Sequence, residues 1–487
     1  MTRAMMLADL FPEARGTACG SMTVSGLAFD SRKVGQGNVF VAIPGAKADG
    51  LAFAAQAART GAAAVIGEAD AAPADLAVPY LHVSDVRRAL SLAAARWYVD
   101  QPEHVVAVTG TSGKSSVADF TRQLFAALGS SAASIGTLGV ITSKGGAYGS
   151  LTTPDPLTLH ETLSRLAEEG ITRLAMEASS HGIEQRRLDG VRLSAAAFTN
   201  LGRDHLDYHG TPEAYLAAKL RLFETLLPQG ASAVINVDGA EARAFIDAAR
   251  RRDALVLTTG RGGETLKLVA AAPVGFEQHL TVLAGGHRTE VRLPLAGSFQ
   301  VENALVAAGL VLAIEGMGRS EEVLAAISHL KGVSGRLERV GEVNGALCVV
   351  DYAHKPDALD HALQALRPFV TGRLVCIFGC GGDRDRGKRP IMGRIAVTKA
   401  DRVIVTDDNP RSEDPAAIRA EILAEAPGAI EIGDRREAIA RAVSDLRPGD
   451  VLVVAGKGHE TGQIVGDRTL PFSDQGEIRA AIARSTA

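Results

Sequence analysis

The chain has 487 residues, a hydrophobic fraction of 46%, a charged fraction of 22% and a formal net charge of −4. That length suits about three domains of ordinary size, and the two fractions suit a soluble globular fold. The near-neutral balance gives no case for a general nucleic-acid binder, and no apolar run approaches the ~18–20 residues of a membrane span. Aromatic residues make up only 4%, so cores built from aliphatic side chains are expected. The cysteines Cys19, Cys348, Cys376 and Cys380 fit no zinc spacing. Cys348 and Cys376 sit inside apolar runs and read as buried free thiols, which suits a reducing cytoplasm. Asp9 and Pro12 interrupt any apolar core at the N-terminus, so no secretory signal is expected.

Residues 1–101 read as a first domain, closed by the break Asp100-Gln101-Pro102. It alternates strand-like runs at 39–43, 63–66 and 80–83 with helical runs. Asp30, Ser31 and Arg32, with the polar loop 46–50, could hold an anionic substrate; capped turns on a small α/β domain explain them equally well.

Residues 102–332 read as a second domain of alternating strands and helices, which argues for a mostly parallel sheet. It opens on His-Val-Val-Ala-Val-Thr-Gly-Thr-Ser-Gly-Lys-Ser-Ser from His104, followed by Val117, Phe120, Leu124 and Leu128 at helical spacing. A buried strand thus runs into a helix through Gly110, Thr111, Ser112, Gly113, Lys114, Ser115 and Ser116. Such a loop cradles phosphates with backbone N–H groups at a helix N-terminus. Lys114 would reach the β- and γ-phosphates, and Ser115 would hold Mg²⁺. The full motif wants a glycine where Val108 stands. A glycine-rich turn with a solvated lysine is the plainer alternative.

Strands are expected at 105–109, 171–177, 195–200 and 233–238. Open α/β sheets bind ligands at the C-terminal ends of their strands, and polar residues gather there: Thr109, Glu177 before Ala-Ser-Ser-His-Gly, and Asn200 before Leu-Gly-Arg-Asp-His-Leu-Asp-Tyr-His-Gly. Glu177 and His205 are reasonable Mg²⁺ ligands beside Ser115. Thr211-Pro212 starts a helix whose Tyr215, Lys219, Leu222, Phe223 and Leu226 share one face. Lys219 therefore sits in an apolar stripe. Either it snorkels to solvent, or it is buried with a lowered pKa, able to react with CO₂ and hold a second Mg²⁺ as a carbamate. A strand-rich stretch at 266–295 precedes an alanine-rich helix. At its start Asn303 could contact a base edge or be a buried amide tying the helix to a loop.

Residues 333–487 repeat the pattern as a third domain, with strands at 347–350, 374–378, 402–405 and 451–454. Each ends in a polar cluster: Asp351-Tyr-Ala-His-Lys-Pro, Gly381-Gly-Asp-Arg-Asp-Arg-Gly-Lys-Arg, Asp407-Asp-Asn-Pro-Arg411 and Gly456-Lys-Gly-His-Glu460. The basic segment 384–389 follows a strand and a Gly-Gly, which favours an anion site. No dinucleotide fingerprint follows a strand here, which argues against a nicotinamide enzyme.

Together these clusters resemble the Mur ligases, through all three domains, and the incomplete phosphate loop is itself characteristic of that family. The resemblance implies a central phosphate-loop ATPase domain, a small N-terminal α/β domain for a UDP-sugar and a Rossmann-like C-terminal domain for an amino acid. It implies an ATP-dependent amide ligase of peptidoglycan precursor synthesis, a cytoplasmic monomer. The D-Glu γ-carboxylate of UDP-MurNAc-L-Ala-D-Glu would be phosphorylated to an acyl phosphate, and an incoming amine would displace phosphate. Lys114 and two Mg²⁺ would neutralise the transferred phosphoryl, and Lys219 would be the family's carbamylated lysine. Asn303, Arg336 and Asp351 would bind ATP. Phe29, Ser31, Ala46, Lys47, Ala48, Thr152, Thr153, Ser179, Gln185 and Arg187 would hold the UDP-sugar peptide.

Asp408-Asn409-Pro410-Arg411 matches the motif for meso-diaminopimelate as the added amino acid. Arg411, assisted by Arg384, would pair with its distal carboxylate, and Gly456 and Glu460 would receive the distal ammonium. Lysine would leave those guanidinium groups unpaired, and such a site can reject an analogue by roughly 10⁴–10⁵. Two positions depart from the family pattern: Gln300 replaces the first of two asparagines near adenine, and Lys355 replaces a small hydroxyl residue. The rival readings are an L-lysine-adding homologue, a folylpolyglutamate synthase-like ligase, a non-catalytic nucleotide-gated binder of the precursor, and a phosphotransferase.

Overall fold

The computed structural model describes residues 3–45, 48–147, 151–202 and 204–485. It forms two compact units: Met1–Lys114, Phe125–Ile235 and Gly239–Leu257 make the first, and Ser115–Leu124, Asn236–Asp238 and Thr258–Ala487 the second.

In the first unit, strands Gly26–Ala28, Asn38–Val41, Ala64–Gly67 and Tyr80–His82 pair in parallel in that order. Successive side chains point to opposite faces of a strand. Val39, Val41, Ala64 and Ile66 therefore pack with Leu7, Leu10, Phe11 and Leu90, while Phe40 and Val65 pack with Ala54 and Ala57.

The unit's other parallel sheet runs in the order Ala132–Gly136, Arg173–Glu177, His104–Thr109, Leu193–Phe198 and Ser232–Asn236. The strand that feeds the phosphate loop is thus central, and its Val105 to Val108 are buried on both faces. This explains a continuous apolar run in place of alternation. Strand Leu193–Phe198 stops two residues short of the expected 195–200. Thr199 and Asn200 leave the ladder to bond the phosphate loop: Thr199 Oγ1 donates to the Ser112 carbonyl at 2.7 Å, and the Asn200 carbonyl accepts the Thr111 N–H at 2.9 Å.

Helix Pro212–Arg221 begins as expected, with Thr211 Oγ1 accepting the Ala214 N–H. Its continuation, Leu222–Leu226, is a π-helical turn. The wider turn slips the apolar stripe by about one position. Leu227 is buried where the helical spacing indicated Leu226, which is only half-buried.

In the second unit, strands Leu266–Val274, Glu277–Ala284 and His287–Leu293 form an antiparallel meander, and helix Phe299–Glu315 follows. A six-stranded sheet runs in the order Glu338–Val343, Ala346–Asp351, Val451–Ala455, Leu374–Phe378, Arg402–Val405 and Ile430–Glu431, parallel except at its first pair. Alternation again splits the core: Leu347, Val349, Val451 and Val453 on one face, Cys348, Val350, Leu452 and Val454 on the other. The edge strands Glu338–Val343 and Ile430–Glu431 and the hairpin Gly462–Val465/Arg468–Pro471 had no clear signal in the sequence. They are short or half-exposed, so their residues carry little apolar periodicity. All four cysteines are free and buried. Among the described residues no helix is long and apolar enough to cross a membrane.

Candidate active site

The phosphate loop is held open by its neighbours. Gly110 and Gly113 adopt positive φ of 152° and 86°. A Cβ on Gly110 would lie 1.9 Å from Thr199 Oγ1, so no larger residue fits without moving that latch. Ser112 N–H donates to Asn200 Oδ1 at 3.0 Å, and Thr111 Oγ1 lies 3.1 Å from the Tyr215 hydroxyl. Thr109 Oγ1 is buried with no hydrogen-bond partner among the described residues. Lys114 Nζ folds back onto the Gly110 and Thr111 carbonyls at 2.8 and 2.9 Å. Dipolar backbone and a lysine turned onto the loop's own carbonyls fit a phosphate ligand, towards which Lys114 would swing. Ser115 and the buried Ser116 follow in helix Lys114–Ala127.

Lys219 is buried, only 1% exposed, so it does not snorkel. Its Nζ donates to the same Gly110 carbonyl at 2.8 Å and lies 4.4 Å from the Tyr215 ring centroid. Burial pushes its pKa well below the ordinary lysine value, and the Lys114 charge adds to the effect. The structure thus joins Lys114 and Lys219 on one carbonyl oxygen.

Glu177 ends its strand with its side chain buried, Oε1 accepting the Thr137 N–H at 2.7 Å. Gly136 makes room for it: a Cβ there would sit 2.1 Å from Glu177 Oε1. His205 has left-handed backbone (φ 55°), uncommon away from glycine, and its ring lies 4.8 Å from that of His181. Burial, then the neighbouring His205 and His209, lower the His181 pKa to about 4. No group of three or more His, Cys, Asp or Glu among the described residues forms a metal cage. Mg²⁺ commonly takes one or two carboxylates plus waters and substrate phosphates, so a sparse donor set such as the buried Glu177 carboxylate is of the kind it accepts.

Five of the residues expected to hold the UDP-sugar peptide form one hydrogen-bonded patch. Thr153 Oγ1 donates to the Glu177 carbonyl at 2.9 Å and lies 3.0 Å from Ser179 Oγ. Arg187 Nη1 donates to the Thr153 carbonyl and Nη2 to Gln185 Oε1, both at 2.7 Å. Thr152 Oγ1 lies 3.1 Å from Thr137 Oγ1. Ser179 also caps helix Ser180–Glu184. In the N-terminal sheet region, Ser31 is buried at the start of a short 3₁₀ turn, and Phe29 is 37% exposed. Asp30 caps that turn and binds Arg32 through both carboxylate oxygens, which lowers its pKa to about 2. Ala48 is exposed. Ala46 and Lys47 lie outside the described residues.

In the second unit, Asn303 is a buried amide. Its Nδ2 donates to Gln300 Oε1 at 3.0 Å, and Gln300 Nε2 reaches the Arg336 carbonyl at 3.4 Å. Asp351 Oδ2 accepts the Leu337 N–H at 2.8 Å, and burial raises its pKa to about 6. The Arg336 guanidinium sits 5.1 Å from the Tyr352 ring centroid. Asn303, Arg336 and Asp351, distant in sequence, are therefore linked through Gln300 and Leu337. Lys355 occupies the cap position of helix Pro356–Leu366.

Another cluster in this unit gathers opposite charges. Arg411 has left-handed backbone (φ 51°), and its Nη1 donates to the Gly382 carbonyl at 2.9 Å. A Cβ on Gly381 would lie 2.7 Å from Arg411 Nη1 and 3.9 Å from Arg384 Cγ, so both arginines flank that glycine. Asp408, Asn409 and Pro410 are buried. A Cβ on Gly456 would lie 3.5 Å from Asp408 Oδ2, and Asn409 Nδ2 donates to Glu460 Oε2 at 2.9 Å.

Several residues of these clusters were not singled out as ligands in the sequence. Asn200 and Thr199 were marked only as a strand end, and Thr137 and Tyr215 had no polar motif around them. Lys457 lay unremarked between Gly456 and Glu460.

Residues 108–311 match the Mur ligase middle domain, 335–458 the Mur ligase glutamate ligase domain, and 23–98 the Mur ligase family catalytic domain. The UDP-N-acetylmuramoyl-L-alanyl-D-glutamate--2,6-diaminopimelate ligase of Brucella melitensis biotype 1 is 57% identical over 475 residues, covering 97% of each chain. The like-named protein of Mesorhizobium japonicum is 57% identical over 99% of each. A solved structure of a protein bearing that name covers 100% of both chains at 35% identity, with a TM-score of 0.76. With matches that span nearly its whole length, the chain belongs to the Mur ligase family.

Proposed function

We propose that this protein is an ATP-dependent ligase that adds meso-diaminopimelate to the γ-carboxylate of D-Glu in UDP-MurNAc-L-Ala-D-Glu. The reading is supported by relatives named for that reaction. The observation that carries it is the second unit's cluster, with Arg384 and Arg411 around Gly381 and Asp408, Asn409 and Glu460 around Gly456. An amino acid whose distal end bears both carboxylate and ammonium needs such a pair of opposite charges.

Residues 1–101 would bind the UDP-sugar, 102–332 ATP, and 333–487 the amino acid, in the cytoplasm and as a monomer. Lys114 and the loop Gly110 to Ser116 would hold the ATP phosphates, with Asn303, Arg336 and Asp351 about the nucleoside. The γ-phosphoryl passes to the D-Glu γ-carboxylate and ADP leaves. The amine then attacks the acyl carbon, an N–C bond forms, the C–O bond to phosphate breaks, and the nitrogen gives up a proton. Thr152, Thr153, Ser179, Gln185 and Arg187 would orient the accepting peptide. Two Mg²⁺, held by Ser115, Glu177, His205 and carbamylated Lys219, would offset charge on the transferred phosphoryl when bound. Lys219 fits the carbamate because a buried amine of lowered pKa is neutral often enough to add to CO₂, releasing a proton.

The test is ADP release by purified protein with ATP and Mg²⁺. Release that requires both UDP-MurNAc-L-Ala-D-Glu and diaminopimelate is expected. Release without the amine would favour a phosphotransferase, and no release with any combination would indicate a binder.

A further inference from the structure

We infer that Lys457 is a positioning residue of the amino-acid pocket, orienting Asn409 so that Glu460 faces the substrate's distal ammonium; this rests on the ligase reading above. The Lys457 side chain is fully buried, yet it sits among acceptors. Its Nζ donates to Asn409 Oδ1 at 2.8 Å and to the Gly462 carbonyl at 2.9 Å, and it lies 3.3 Å from Asp408 Oδ1 and 3.8 Å from Glu460 Oε2. One ammonium thus joins the loop carrying Asp408 and Asn409 to the turn carrying Glu460 and Gly462.

The orientation of Asn409 follows from donor counting. The atom facing Lys457 also receives the Ile464 N–H at 2.9 Å, and two donors require an oxygen there. The amide nitrogen is thereby turned to Glu460 Oε2 at 2.9 Å. That contact engages one carboxylate oxygen of the half-exposed Glu460 and fixes the plane in which the other is presented. Asp408 Oδ1 has no hydrogen bond among the described residues, so the Lys457 charge is its closest compensation. Without Lys457, Asn409 loses a reason to keep its orientation, and two carboxylates lose the cation between them. Replacing a whole buried ion pair by apolar residues often costs little; here the lysine ties the loop of Asp408 and Asn409 to the turn of Glu460 and Gly462.

Lys457→Met, near in shape and without charge, tests this in the full-length protein by crystal structure and by steady-state kinetics. The Asn409–Glu460 contact should open beyond hydrogen-bonding distance. The KM for diaminopimelate should rise about 10–100-fold, the range a misplaced contact group costs. The KM values for ATP and UDP-MurNAc-L-Ala-D-Glu should stay within about twofold. An unchanged Asn409–Glu460 contact overturns the inference, as does an equal rise in all three KM values, which marks a merely structural lysine. Should the methionine variant not fold, Lys457→Ala, which also lacks an N–H donor, is read in the same two ways. Wild-type protein inert towards diaminopimelate would contradict the ligase reading, while the crystal structures would still decide the role of Lys457.

Discussion

A lysine sealed from water must either lose its charge or gain a partner for it, and the Lys219 ammonium meets the Gly110 carbonyl and the Tyr215 ring. The apolar stripe around it was visible in the sequence; whether it would snorkel was not, because that depends on what packs over the helix. As a carbamate it would turn from donor to anion. Lys219→Ala should lose at least about 10²-fold in turnover, as removal of a charge-stabilising group does, with partial rescue by short carboxylates; full activity would return the lysine to a packing role. His160 offers a test of stability at the same scale. Its Nε2–H donates to the Asp189 carbonyl at 3.2 Å, and buried Nδ1 has no partner among the described residues. Burial therefore lowers its pKa to about 4. A base depressed in the fold is protonated first in the unfolded chain, so its contribution is present above about pH 6.5 and is lost as pH falls towards 4, a swing of about 3 kcal/mol. The melting temperature should accordingly fall less between pH 7.5 and 5 in His160→Gln than in the wild type.

The strand–loop–helix around Gly110 was legible because its period changes from a buried run to helical spacing at two glycines. What the sequence did not reveal was the latch that shapes it, Thr199 and Asn200, since their hydrogen bonds cross almost ninety residues. Gly110→Ala should displace Thr199 and raise the KM for ATP more than about tenfold, leaving that for diaminopimelate little changed. A normal KM for ATP would mean the loop tolerates the clash. The helix carrying Lys219 shows the opposite limit. Its start was set by local chemistry, Thr211 and Pro212, and could be read. Its end was not, because the π turn at Leu222–Leu226 answers to the packing of Leu227 and Phe223.

At the scale of the whole chain, alternating strands and helices sufficed for the α/β class, and strand-end clusters together with the Mur ligase resemblance sufficed for candidate site residues to be named. Motif spacing could not say which of them touch. Asn303 and Arg336 meet through Gln300, whose longer side chain spans to the Arg336 carbonyl, and Asp351 joins through the Leu337 N–H. Arg384 and Arg411, from two different strand ends, both flank Gly381, and Arg411 does so from left-handed backbone. Specificity is the property that depends on this assembly most. Lysine lacks the distal carboxylate, so in the proposed site it would leave Arg411 without that partner. The decisive measurement is mass spectrometry of the product formed from UDP-MurNAc-L-Ala-D-Glu, ATP and Mg²⁺ with meso-diaminopimelate and L-lysine in equal concentration. A tripeptide carrying diaminopimelate is expected, with lysine incorporation lower by at least about 10³-fold; a product carrying mainly lysine, or none with either amine, would contradict the diaminopimelate-ligase reading.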